Sequence, residues 1–183
     1  MIFNIFNKGT VLNPTQVFEC AFAQSQKEFP NRFEEDSETV EQRRLKFEAI
    51  SIFMSLYTWY LKEEGSKKAK QLSQDAYDYM FDRFEIALRE QGVSDVRIGP
   101  EVKKLASAYT GRMLSYADAF KDGDSKALLE SLIKNQVCDD SKAKLLSIKL
   151  VTEAQKMLGQ TLEEWYQNLD NLKKGTYEPK ELV

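Results

Sequence analysis

The sequence predicts an all-α protein that folds as a single compact helical domain of about six to seven helices over residues 1–183. Apolar residues recur every three to four positions along most of the chain, which is the period of one helix face. Eight glycines and four prolines leave few interruptions for long helices. No useful stretch alternates apolar and polar residues as a strand would. Residues 1–12 and 176–183 are expected to form irregular ends.

The first helix is expected to begin at Asn13 and Pro14 and to end before Pro30. Asparagine can cap a helix, and proline at the first helical position sacrifices no hydrogen bond because that N–H has no partner within the helix. The acidic segment from Asn31 to Glu38 has no apolar period, and it is predicted to be a loop.

The most apolar helix is predicted from Thr39 to Glu64, with Gly65 as its left-handed stop. Its apolar residues cover nearly the whole circumference, which is typical of a central helix. Burying side chains of this size contributes about 1.5 to 3 kcal/mol each, so this segment should organise the fold. The apolar positions are Phe47, Ile50, Ile52, Phe53, Met54, Leu56, Tyr57, Trp59, Tyr60 and Leu61.

The rest of the chain divides into five amphipathic helices joined by short turns. A helix over residues 66–92 precedes a turn from Val93 to Gly99, after which Pro100 is expected to open the next helix. That helix has the most regular apolar spacing in the chain and ends near Gly123. Three shorter helices are predicted at residues 124–137, 141–159 and 161–175.

Residue counts exclude most catalytic chemistry. The chain has no histidine, which removes histidine general bases, histidine-activated nucleophiles and histidine metal ligands. Cys20 and Cys138 form no CxxC pair, and two isolated cysteines favour a reducing compartment. A net charge of −3 offers no positive field to nucleic acid. We therefore expect no enzyme activity, no cofactor, no metal and no nucleic-acid partner.

No segment is predicted to enter or cross a membrane. The N-terminus lacks the positive region and the cleavage site of a signal peptide. The longest nearly uncharged apolar run, from Ala49 to Leu61, is shorter than the roughly 17 residues needed to cross a bilayer core. We therefore expect a cytoplasmic protein.

Gly111 and Arg112 stand out inside the helix that follows Pro100. An interior glycine costs about 1 kcal/mol relative to alanine, and the usual reason for it is the close approach of another helix. Arg112 would then need a carboxylate such as Asp82 or Glu85, the alternative being an arginine that faces a ligand. These two acids belong to a row expected to be solvated, or else to bind a cation or a basic partner: Asp75, Asp78, Asp82 and Glu85.

The segment from Leu88 to Asp95 reads LREQGVSD, and it resembles the ubiquinol-cytochrome c chaperone family. Further matches in the family's order and spacing are Lys103–Lys104, Ala108–Arg112 and Tyr116. A weaker likeness extends to residues 36–48 and 175–177, so that the resemblance covers most of the chain.

The resemblance implies a set of partner-binding residues, some of which would instead have a structural role. They are Asp82, Arg89, Glu90, Asp95, Lys103, Gly111, Arg112, Tyr116 and Asn135. The sequence departs from the family at Gly99–Glu101, where two basic residues are common, and at Lys134 and Ser115. The histidine that often follows the segment ending at Glu48 is also missing.

The resemblance implies a non-enzymatic assembly chaperone that binds cytochrome b, or another assembly component of the cytochrome bc1 complex (respiratory complex III). It also implies a bacterial, alphaproteobacterial-type protein that acts on the cytoplasmic side of the inner membrane, with peripheral membrane association and ribosome contact. Such a chaperone needs an apolar face for its client. Trp59, Tyr60, Tyr77 and Tyr79 are the aromatic candidates, core packing being their alternative role.

Two other classes of protein fit the same composition. A helical enzyme or carrier would use carboxylates and tyrosines in a lipid or isoprenoid pocket, and a sealed cavity with clustered carboxylates would distinguish it. A peripheral membrane adaptor would bind anionic lipid through a local basic patch, since the net charge is negative.

Overall fold

A computed structural model describes residues 12–34 and 39–174, with side chains placed up to Leu169. The described part contains seven α-helices and a short 3₁₀ helix, Pro30–Arg32. The α-helices are α1 (Pro14–Glu28), α2 (Val40–Glu64), α3 (Lys67–Glu90), α4 (Asp95–Asp122), α5 (Ser125–Lys134), α6 (Asp140–Leu158) and α7 (Leu162–Lys174). Apart from Leu12, the expected irregular ends lie outside the described residues, as do the family-like residues 36–38 and 175–177.

The first two helices begin and end where local chemistry predicts. The side chain of Asn13 caps α1 by accepting a hydrogen bond from the Thr15 N–H at 3.0 Å. Thr39 and Gln42 form a capping box at the start of α2. Gly65 ends α2 in the left-handed region, at a φ of 76°.

Helix α2 lies at the centre of the bundle and packs against α1, α3, α4 and α6. Every residue from 47 to 61 is buried. Aromatic rings from other helices pack against it. The ring centres of Trp165 in α7 and Tyr60 are 4.9 Å apart, and those of Phe120 in α4 and Trp59 are 5.4 Å apart. The prediction of a central second helix is confirmed.

Helix α4 begins at Asp95, so the prediction that it opens at Pro100 was wrong. The carbonyl of Ser94 accepts hydrogen bonds from the N–H groups of Arg97 and Ile98 at 2.8 and 3.1 Å, which form the first turn. Ile98 is buried and anchors that turn in the protein. Pro100 therefore lies inside the helix, in its second turn.

The 3₁₀ helix and the last three helices complete the bundle. The predicted loop at residues 31–38 begins within the 3₁₀ helix, where Arg32 donates to the Leu45 carbonyl at 2.9 Å. Helix α5 packs against α4 and α6, while α7 packs against α1. At the start of α7 the Thr161 N–H donates to the Glu164 carboxylate and the Glu164 N–H donates to the Thr161 hydroxyl, which is a capping box.

Candidate partner-binding surface

The nine predicted partner-binding residues divide between the surface and the interior. Asp82, Arg89, Glu90, Asp95, Lys103 and Gly111 are exposed, Arg112 and Asn135 are half-buried, and Tyr116 is buried. The fold therefore separates residues that a partner can reach from residues that hold the helices together.

Arg89 links the end of α3 to the start of α4. Its guanidinium donates to Glu85 at 2.9 Å and also to Asp95. These hydrogen bonds, the one to Glu85 first, raise the pKa of the Arg89 side chain. All three groups are well exposed, so the ion pairs add little stability and stay accessible to a partner. We call these three residues and Glu90 the α3–α4 corner.

Arg112 is paired with Glu48 of α2, so the predicted partners Asp82 and Glu85 were wrong. Its Nε donates to Glu48 at 2.7 Å, and its second terminal nitrogen also bonds the carboxylate. The bond to Glu48 raises the pKa of Arg112. The Glu48 side chain is 1% exposed and that of Arg112 is 21% exposed. This pair joins α4 to the central helix.

Glu48 bonds the predicted residue Arg112 but was not itself predicted. It is a single carboxylate at the start of the longest buried segment of α2. A charge in such a position needs a partner, because burying it alone costs far more free energy than the fold can supply. That requirement is the signal that could have identified it.

Tyr116 and Asn135 form a second interior link, between α4 and the end of α5. The Asn135 amide donates to the Tyr116 hydroxyl at 3.1 Å. Burial raises the pKa of Tyr116, so its hydroxyl stays protonated. Both residues therefore hold α5 against α4.

No other helix of the described residues packs against Gly111, so the packing reason predicted for this glycine was wrong. A Cβ atom built there would meet nothing within 4 Å. The position is exposed, and because glycine has no side chain the backbone of α4 is accessible to a partner there.

The exposed face of α4 forms a continuous row, which we call the α4 ridge. Its members follow the three-to-four spacing of one helix face. They are Val96, Pro100, Lys103, Ser107, Gly111 and Leu114, all exposed. Two of them are large apolar residues: Val96 is 87% exposed and Leu114 is 57% exposed.

The exposed apolar residues are therefore not the predicted aromatic ones. Trp59 and Tyr60 are buried in the core, while Tyr77 and Tyr79 are half-buried and pack against it. Val96 and Leu114 do not fall on the apolar period that predicts the buried side of α4, and this position in the sequence could have marked them as exposed. For Val96 the pattern could be applied only if the helix was known to begin before Pro100.

The acidic row of α3 has partners close to it along the same helix. Gln71 and Gln74 donate to Asp75 and Asp78, each at 2.8 Å, and Glu85 bonds Arg89. Among the described residues, no cluster of carboxylates and cysteines could hold a metal ion.

Two open clefts of about 340 Å³ each lie on the described part of the molecule. One lies between α2, α3 and α4, and no carboxylate lines it. The other lies between α2, α6 and α7, and Glu153 is the carboxylate in its lining. Neither has the clustered carboxylates that would favour the helical enzyme. Across residues 12–34 and 39–174, no helix is long and apolar enough to span a bilayer.

Comparison with a solved structure supports the fold. The chain superposes on the crystal structure of the Cbp3 homolog from Brucella abortus with a TM-score of 0.66 and 22% sequence identity. The match covers 91% of this chain and 88% of that one. No curated protein matches the chain.

The family model described as ubiquinol-cytochrome C chaperone matches residues 37–163. This range contains α2 to α6, including the α3–α4 corner, the α4 ridge and both interior links. The match covers well over half of the sequence, and the chain belongs to the ubiquinol-cytochrome C chaperone family.

Proposed function

We propose that this protein is a non-enzymatic assembly chaperone that binds cytochrome b, or another assembly component of the cytochrome bc1 complex, through the α4 ridge and the α3–α4 corner. Family membership supports an assembly role. We choose this surface because the α4 ridge presents exposed apolar and small residues along one helix.

The α4 ridge has the dimensions of a docking site for one membrane helix. From Val96 to Leu114 it extends about 27 Å at the α-helical rise, close to the roughly 30 Å hydrocarbon core of a bilayer. Ser107, Gly111 and Ser115 recur every four residues and are exposed. Small residues at this spacing let two helices approach closely and pack without relying on hydrophobic burial.

The α3–α4 corner and Lys103 supply charges at one end of the ridge. Exposed charges add little binding free energy, but they favour a partner of complementary charge and disfavour others. Ile86, which is exposed, lies one turn from Glu90 on α3 and adds an apolar contact beside these charges. This combination suits a client helix together with the polar loop that follows it.

The interior predicted residues support the ridge without touching the client. Arg112 bonds Glu48, and Tyr116 bonds Asn135, so α4 is held to α2 and α5 on its inner side. A rigid helix loses little conformational freedom when a client docks, which favours binding.

In this proposal the protein works on the cytoplasmic side of the inner membrane, where it associates peripherally and meets its client near the ribosome. The absence of histidine supports a role without catalysis. The family assignment does not itself specify the client-binding face, the membrane association or the ribosome contact, which are parts of this proposal.

Gly111→Leu tests the ridge because it separates binding from stability. The position has open space around it, and leucine has a higher helix propensity than glycine, so the free energy of unfolding should rise by up to about 1 kcal/mol. Binding should fall about tenfold or more, because the new side chain prevents close helix approach. Co-purification with tagged cytochrome b and urea denaturation would measure the two effects.

Lys144→Leu on α6 is the matched control, since it also adds an exposed leucine but lies on another helix. The double charge reversal Arg89→Glu with Lys103→Glu tests the charges of the corner and of the ridge in the same assay and should reduce capture without unfolding. Unchanged capture by Gly111→Leu and by the double variant would refute this surface.

A further inference from the structure

The cleft between α2, α3 and α4 has a basic lining, whereas the protein as a whole is acidic. It has a volume of about 340 Å³, which is at the lower end of the range of small-molecule sites. Thr58, Lys62, Lys70, Ser73, Gln74, Tyr77, Tyr109, Thr110 and Met113 line it. Two lysines and no carboxylate face a space of this size, although the chain as a whole carries a charge of −3.

Neither lysine of the cleft is neutralised by a carboxylate in the described part of the chain. The ion pairs found there involve other basic residues, such as Arg112, Lys104 and Lys149. Lys62 at the end of α2 and Lys70 near the start of α3 are exposed and place two positive charges at the cleft, whereas Asp78, behind the lining, bonds Gln74 at 2.8 Å. Such a pair of lysines attracts an anion that carries two negative charges.

Several other polar groups of the cleft already use their protons within the protein. The Thr58 hydroxyl donates to the Met54 carbonyl at 2.7 Å, so Tyr109 donates to Thr58 at 2.9 Å. The Thr110 hydroxyl donates to the Ala106 carbonyl at 2.9 Å. These groups offer acceptors, which do not help to bind an anion.

The remaining donors of the lining are two ammonium groups, of Lys62 and Lys70, and two hydroxyls. The hydroxyls of Ser73 and Tyr77 have no acceptor among the described residues, and the two lie one turn apart on α3. Partial burial, and then the nearby charge of Asp78, raise the pKa of Tyr77, so its hydroxyl keeps its proton. Met113 and the tyrosine rings provide an apolar wall beside these donors.

We propose that this cleft binds a phosphate monoester, with Lys62, Lys70, Ser73 and Tyr77 donating to its terminal oxygens. A phosphate monoester carries up to two negative charges and three acceptor oxygens, which match two ammonium groups and two hydroxyls. A carboxylate would leave part of this donor set unused. The cleft has room for a small organic group against the apolar wall. This inference is independent of client binding at the α4 ridge.

The test is binding of two phosphate probes to the full-length protein. Inorganic phosphate, titrated by isothermal calorimetry, represents a free ligand, and phosphatidylcholine vesicles with or without phosphatidic acid represent a lipid headgroup. Lys62→Gln and Lys70→Gln should each weaken binding about tenfold, because each removes a charge-assisted hydrogen bond. Tyr77→Phe should weaken it less.

Lys68→Gln is the matched control, because Lys68 is an exposed lysine of the same helix that points away from Lys70. Binding of inorganic phosphate that both cleft variants weaken would identify a free phosphate ester as the ligand class. Binding only to phosphatidic acid vesicles, with the same losses, would identify a headgroup. No binding of either probe, or equal loss in Lys68→Gln, would overturn the proposal.

Discussion

At the residue scale, Glu48 and Arg112 show how a charge is tolerated next to the core. Moving either ion out of water costs several kcal/mol, which is offset only when the partner is well placed and hydrogen-bonded. The guanidinium provides two parallel bonds to the carboxylate, and its third nitrogen donates to the Ala108 carbonyl at 3.1 Å. The pair is asymmetric, because Arg112 keeps contact with water and Glu48 does not.

This asymmetry predicts unequal effects of removing each partner. Arg112→Ala leaves a fully buried carboxylate and should lower the free energy of unfolding by about 3 to 5 kcal/mol. Glu48→Gln leaves a neutral amide that can still accept one bond from Arg112, and should cost about 1 to 3 kcal/mol. Urea denaturation of both variants measures the difference.

Arg112→Lys serves as the control for charge alone, since lysine keeps the charge and loses the two parallel bonds. It should fall between the wild type and Arg112→Ala. Equal losses for Glu48→Gln and Arg112→Ala would show that the burial of Glu48 does not determine the energetics.

At the scale of elements, helix α4 begins at Asp95, before Pro100, although a proline inside a helix disrupts its hydrogen bonding. Pro100 lacks the N–H that would bond the carbonyl of Val96, and its ring crowds that carbonyl. The helix persists because Ile98 is buried and anchors the first turn in the protein. Tertiary contacts therefore override the local signal to start at Pro100.

Pro100→Ala should stabilise the first turns of α4. Alanine restores the missing hydrogen bond and removes the crowding, so the free energy of unfolding should rise by about 1 to 3 kcal/mol. Amide hydrogen exchange should slow for the residues from Arg97 to Glu101. A decrease in stability would show instead that Pro100 is required for the geometry of the α3–α4 corner.

At the scale of the whole molecule, buried tyrosines make the fold sensitive to high pH. Burial raises the pKa of Tyr60 from 10.0 to about 12, and its hydroxyl donates to the Gln160 carbonyl at 3.0 Å. Below pH 10 the tyrosine is neutral in both folded and unfolded states. Between pH 10 and 12 the unfolded chain ionises first, so stability falls as the pH rises through this window.

Tyr60→Phe should therefore reduce the loss of stability between pH 10 and 12, although it gives up one hydrogen bond at neutral pH. Urea midpoints across this window measure the slope. Tyr79→Phe is the control, because Tyr79 is half-buried and its hydroxyl has no bond within the described residues. An unchanged slope in Tyr60→Phe would assign the alkaline sensitivity to other groups.

Much of the fold could be predicted because its signals are local. The caps at Asn13 and Thr39, the stop at Gly65 and the apolar breadth of α2 depend on neighbouring residues in the chain. The candidate surface was predictable only in part. Arg89, Asp95 and Lys103 were named from the family pattern. Val96 was missed because the start of α4 depends on Ile98 being buried in the protein, whereas Leu114 could have been identified from its position outside the apolar period of the predicted helix.

The amino-acid sequence alone determined that this chain is an all-α chaperone-family protein organised around its second helix, since period, capping and motif spacing are properties of the chain itself. Only the tertiary structure decided that Glu48 is the partner of Arg112, that no other described helix packs against Gly111, and that two lysines line a cleft whose described lining has no carboxylate. Those facts depend on which helices meet, and residues distant in sequence can be paired only after the helices have packed.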